Sequence, residues 1–135
     1  VINLVTIKSC KKWQKILNSI KIAPLLIGMG MFFIAHILTF FQLNGQFLWK
    51  SWAKNEWLVA SSGLILSFFY MWGTKYVVEA FDGLLWPGRF IGFGVGMVIY
   101  AIMVSYFFDE GINLKTLTSL LIATGLVCIQ VFWKI

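Results

Sequence analysis

Long apolar runs broken by short polar turns set the pattern of this chain, with the runs at residues 22–43, 57–78, 88–108 and 116–133. Each is about 18–22 residues long. At about 1.5 Å per helical residue, that length crosses a hydrocarbon core about 30 Å thick. The separators are polar or turn-forming: Asn44-Gly45-Gln46 followed by Lys50, Lys54 and Glu56, then Asp82-Gly83 through Pro87-Gly88, then Asp109-Glu110-Gly111. Lipid offers the backbone no hydrogen-bond partner, so each run must satisfy its own polar groups as a helix. The alternating segments of about ten residues that a membrane barrel requires do not occur. The pattern therefore predicts an all-α integral membrane protein, with four transmembrane helices forming one bundle over residues 22–135.

The segment before the first run follows a different rule. Trp13, Ile16, Leu17 and Ile20, with Cys10 behind them, share one face at helical spacing, while Lys8, Lys11 and Lys15 lie opposite and Lys12 on the flank. This predicts a basic amphipathic helix over residues 1–21, lying in the interface plane with its apolar stripe in lipid and its amines among headgroups. The segment lacks the continuous apolar centre of a cleaved signal peptide.

Composition narrows the class. Apolar residues make up 60% of the chain and charged residues only 12%, with a mean hydropathy of +0.86. A soluble domain carries about 25% charged residues. A soluble enzyme, a secreted disulfide scaffold and a disordered tail are all excluded. The net charge of +6 arises from 11 basic residues against 5 acids, and the basic residues flank apolar runs. That placement suits an anionic bilayer surface as partner rather than nucleic acid. With four spans, Lys8, Lys11, Lys12, Lys15, Lys21, Lys75, Arg89 and Lys134 fall on one side and only Lys50, Lys54 and Lys115 on the other. The positive-inside rule then places both termini in the cytoplasm. Trp13, Trp49, Trp52, Trp57, Trp86 and Trp133 fall at the expected interface belts, leaving Trp72 well inside a span.

Candidate chemistry is sparse. No metal-binding, nucleophile-elbow or dithiol motif lies in the spans, and the two cysteines, Cys10 and Cys128, read as free thiols. The expectation is a protein that is not an enzyme and carries no metal or other cofactor. His36 is the one ionisable residue near the middle of a span. An imidazole in hydrocarbon must be paired, so His36 either handles a proton or ligand at the bundle centre or bonds a neighbour such as Thr39, Thr74 or Tyr100. Lys75 and Glu79, one turn apart, can pair, although this order of charges is the weaker one. Arg89, just after Trp86-Pro87-Gly88, is expected to meet lipid phosphate or a carboxylate such as Glu79 or Asp82. Gly92 and Gly96 share a helix face and admit a close neighbour, and the Gly92, Gly94, Gly96 run can also act as a hinge. Gly28 and Gly30 read the same way.

Residues 94–132, with the Gly94-Val95-Gly96 run, the Phe107-Phe108 ending, a short polar turn and a last helix carrying Gly125 near its middle, resemble the C-terminal half of small multidrug resistance proteins. These are four-helix members of the drug/metabolite transporter superfamily. Aligned through Ala35-His36, the first span matches the family helix whose embedded glutamate binds proton and cationic substrate in turn. The resemblance thus implies a transporter fold in which His36 replaces that glutamate, so a cation-attracting site becomes neutral or positive. The strong charge bias fixes a single orientation, which implies a parallel homo-oligomer or one member of a heteromeric membrane complex.

Two functions follow as expectations. One is a transporter-like protein whose cavity, lined by His36, Trp72 and Tyr100, handles a small apolar or amphipathic solute while Gly94 and Gly96 flex the third span. The other is a non-catalytic accessory subunit of a larger membrane complex, with its glycine faces and aromatic edges serving as interface. The orientation is directly testable. In a background without the native cysteines, Asn55→Cys should react with a membrane-impermeant maleimide in intact cells, and Leu84→Cys only after lysis. The opposite pattern would reverse the topology.

Overall fold

The first helix does not stop at its Asn-Gly-Gln separator. In the computed structural model, which describes residues 20–132, helix α1 (Ile22–Leu48) runs straight through it. The polar side chains there are satisfied within the helix: the Asn44 amide donates to the Phe40 carbonyl and the Gln46 amide to the Leu43 carbonyl, both at 3.0 Å. Gly45 faces inward, against the indole of Trp52 on the short helix α2 (Lys50–Lys54). The expected break falls instead at Trp49, whose backbone turns extended at φ −131°.

The second crossing has two parts, α3 (Glu56–Ser61) and α4 (Gly63–Ala80), jointed at Ser62. The Ser61 and Ser62 hydroxyls donate to the carbonyls of Leu58 and Val59, at 2.7 and 2.6 Å. Such bonds compete with the helical ladder and mark the joint. At its far end α4 closes through left-handed residues, Asp82 at φ 52° and Gly83 at φ 92°, with the Gly83 N–H donating to the Val78 carbonyl at 2.9 Å. That six-to-one bond satisfies an orphan carbonyl of the helix end.

Helix α5 (Leu85–Phe107) begins three residues before the sequence pattern suggests. Pro87 falls in its first turn, where a missing N–H breaks no helical bond. Helix α6 (Leu114–Phe132) begins at Asn113, whose carboxamide oxygen accepts the Thr116 N–H at 2.9 Å. This is an N-cap interaction. The described residues thus contain four helical stretches long and apolar enough to span a membrane: Ile22–Leu48, Glu56–Ala80, Leu85–Phe107 and Leu114–Phe132. The amphipathic helix expected over residues 1–21 lies outside the described residues, apart from Ile20 and Lys21; Ile20 packs against the core.

That core lies between α1, α4 and α5, where Phe32, Val77, Ala80, Phe81 and Ile91 are buried together. Helix α1 packs most extensively along α4 and then along α5, whereas α6 packs mainly on α5. Ala123 is the single buried residue of α6. The α1–α4 approach is made by glycine. A Cβ at Gly28 would lie 2.6 Å from the Val77 side chain and 2.9 Å from the Gly73 carbonyl, and one at Gly73 would lie 2.8 Å from the Phe32 ring. A Cβ at Gly30 would meet nothing.

These three glycines separate packing from helix propensity. Gly28→Ala and Gly73→Ala should each lower the unfolding midpoint of the detergent-solubilised protein, with overpacking of about 1–3 kcal/mol. Gly30→Ala should leave it unchanged or raise it, since alanine is the better helix former by about 1 kcal/mol.

Candidate functional site

His36 is half-buried on the inner face of α1, one turn after Phe32. Its Nδ1 donates to the Phe32 carbonyl at 2.7 Å, and because a carbonyl can only accept, that nitrogen carries hydrogen. The Nε2 edge turns to α5, directly against Gly96, with no hydrogen-bond partner among the described residues. Any side chain at position 96 would collide with the ring. Gly92, one turn earlier, admits the Phe32 ring in the same way, at 3.3 Å from a Cβ.

From α4, Tyr70 presents its ring edge-on to His36, with centroids 5.3 Å apart and planes at 81°. Its hydroxyl exchanges a hydrogen bond with Thr39 at 3.0 Å. The imidazole is thus oriented by its own helix and by Tyr70, not by a bond to Thr39, Thr74 or Tyr100. Thr39 is taken by Tyr70. Tyr70 is the residue that sequence reasoning missed, although a phenol well inside an apolar run is as visible a signal as Trp72.

The remaining candidates divide. Trp72 lies two residues after Tyr70, a rotation of about 200° on a helix. It is 47% exposed on the outer face of α4, beside Phe68 and Phe69, and does not join His36. Tyr100 lies one turn beyond Gly96 and packs against Phe40, with centroids 5.6 Å apart. It lines a separate cavity of about 540 Å³ between α5 and α6, with Ser105, Glu110, Asn113 and Thr116. Gly94 turns away from α1 toward α6, where a Cβ would lie 2.9 Å from the Val127 side chain. The glycine run therefore serves two neighbours, Gly92 and Gly96 facing α1 and Gly94 facing α6.

Beside His36 is a cavity of about 600 Å³. Phe32 and His36 of α1, Tyr70 and Thr74 of α4, and Arg89, Gly92 and Phe93 of α5 line it, with Leu85 and Gly88 at its end. Arg89 reaches neither Glu79 nor Asp82, since the one ion pair among the described residues joins Lys21 to Asp82 at 3.3 Å. Lys75 and Glu79 likewise form no pair. The Lys21–Asp82 pair is 55% and 65% exposed and adds little stability, but with the bond from the Lys21 N–H to the Ala80 carbonyl it ties the start of α1 to the end of α4. Among the described residues no three His, Cys, Asp or Glu side chains come together as a metal site. Lys8, Lys11, Lys12 and Lys15 lie outside the described residues.

Comparisons with protein-family models, curated proteins and solved structures find no match to this chain. What the site can do is read from its own groups: an imidazole with one nitrogen engaged and one bare, a phenol against its face, and a guanidinium lining the same cavity.

The seat of the imidazole depends on residue 96. Gly96→Ala should displace the His36 ring from Tyr70, moving the His36 side-chain resonances in NMR spectra of the detergent-solubilised protein. Gly125→Ala, where a Cβ meets open space, should leave them in place.

Proposed function

We propose that the chain is one protomer of an oligomeric membrane transporter of the drug/metabolite type, moving a small apolar or amphipathic solute, with both termini cytoplasmic. The observation that carries this reading is the cavity between α1, α4 and α5, which joins His36 and Tyr70 at mid-span to Arg89 near the α4–α5 loop. An apolar pocket with a few converging polar groups is the usual form of a small-molecule site. An ionisable group inside a span is by default functional. His36 handles the proton or touches the solute through Nε2, while Nδ1 holds the ring in place. Gly92 and Gly96 leave α5 free to shift against α1, and Gly94 keeps it in step with α6.

The accessory-subunit reading is favoured by a different observation. Helix α6 is almost wholly unburied, and Leu121, Ile122, Leu126 and Ile129 face outward. That surface suits docking on a larger partner.

Proteoliposomes with an imposed pH gradient separate the two. A panel of small fluorescent amphiphiles, cationic, neutral and anionic, should include at least one that moves saturably. Its pH dependence should vanish in His36→Ala while the unfolding midpoint is retained. Absence of flux for the whole panel, together with isolation of the chain from its native membrane in a particle with larger subunits, would replace transport by the accessory role.

A further inference from the structure

The cavity beside His36 has a sign. Among the described residues its lining contains one formally charged group, the Arg89 guanidinium, and no carboxylate. No Asp or Glu lies within ion-pair distance of Arg89 among the described residues, and Asp82, seven residues before it, pairs with Lys21. Beside Arg89, α5 opens with no side-chain cap at Leu84 and no acid in its first turn. The positive end of a 23-residue helix therefore adds to the guanidinium's field instead of being neutralised. Leu85 and Gly88 of that same turn line the cavity.

Away from Arg89 the lining turns apolar. Phe32, Phe93 and the bare backbone of Gly92 line it, together with the Tyr70 ring that stands edge-on to His36. Arg89 and Gly96, the residue facing His36, are seven residues apart on α5, about 10 Å along the helix. A free inorganic anion would leave the apolar part unfilled, and a cation would face a guanidinium with no carboxylate paired to it among the described residues.

We propose that this cavity binds an anionic amphiphile, its phosphate or carboxylate on Arg89 just after the first turn of α5 and its apolar body between Phe32 and Phe93. The inference rests on reading the cavity as the solute site, and it names the class of solute. Guanidinium recognises both head groups through paired N–H donors, which a lysine ammonium does not reproduce.

The test uses the full chain in neutral detergent, with dodecyl phosphate as probe and dodecyltrimethylammonium as control. Binding is followed by native mass spectrometry and by the unfolding midpoint. Dodecyl phosphate should bind saturably and raise the midpoint, and the cation should do neither. Arg89→Gln should weaken binding about tenfold or more, equivalent to about 1.4 kcal/mol, with Arg89→Lys recovering part of the loss. Lys75→Gln, a cation outside the cavity lining, should bind as the parent does. Equal binding of the cation, no effect of Arg89→Gln, or an equal loss in Lys75→Gln would each overturn the proposal. In nanodiscs, competition by phosphatidylglycerol would identify a bilayer lipid as the source of the head group, and its absence a free amphiphile; the anion stands in either case. Binding without flux in proteoliposomes would remove transport and leave the site. Flux indifferent to Arg89 would remove the anion and leave transport.

Discussion

Everything in this bundle depends on how closely α1 approaches α4. In lipid there is no hydrophobic gain from joining two apolar helices, so association must come from intimate packing. Gly28 and Gly73 let the two backbones meet, and Phe32 and Val77 fill the space around the contact. Once α1 and α4 are set at that distance, His36 and Tyr70 fall edge to face, and Thr39 comes within reach of the Tyr70 hydroxyl. Helix α5 completes the arrangement from the other side, with Gly92 opposite the Phe32 ring and Gly96 opposite His36. The polar site is a consequence of the packing and would not survive a looser one.

The two ends of the bundle are closed by different means. Toward the α5–α6 loop, Phe40 meets Tyr100, Phe107 and Phe108, and Phe41 stacks on Trp49. Rings occupy that end. Toward the α4–α5 loop the chain relies on a tight turn, a left-handed Asp82 and a surface ion pair, leaving the space beside Arg89 open. The asymmetry leaves the cavity lined by Arg89 at the end that is not filled with rings.

Much of the architecture was legible in the sequence because lipid imposes a coarse rule: about twenty apolar residues per crossing. The same rule says nothing about where a helix stops. Asn44, Gly45 and Gln46 look like a turn, yet their side chains bond back along the helix or give way to Trp52, so α1 continues. Ser61 and Ser62 lie inside an apolar run and still joint it. Helix phase was the other source of error. Trp72 is conspicuous by size, but only the position of α4 against α1 shows that Tyr70 faces inward and Trp72 outward. His36 and the glycines at 92 and 96 were identifiable as a face, since four residues apart is one turn. Which helix that face meets depends on long-range packing, and local pattern does not encode it.

The peripheral position of α6 divides the bundle into two unequal parts. The Phe32–Val77–Ala80–Phe81–Ile91 core draws on residues that precede Phe107, and α6 adds one buried alanine and its contacts with α5. Residues 20–107 thus hold every buried core side chain among the described residues except that alanine. Helix α6 rests on their surface, with Gly94 leaving room for Val127. Of the four crossings it is the one least committed to the interior of its own bundle.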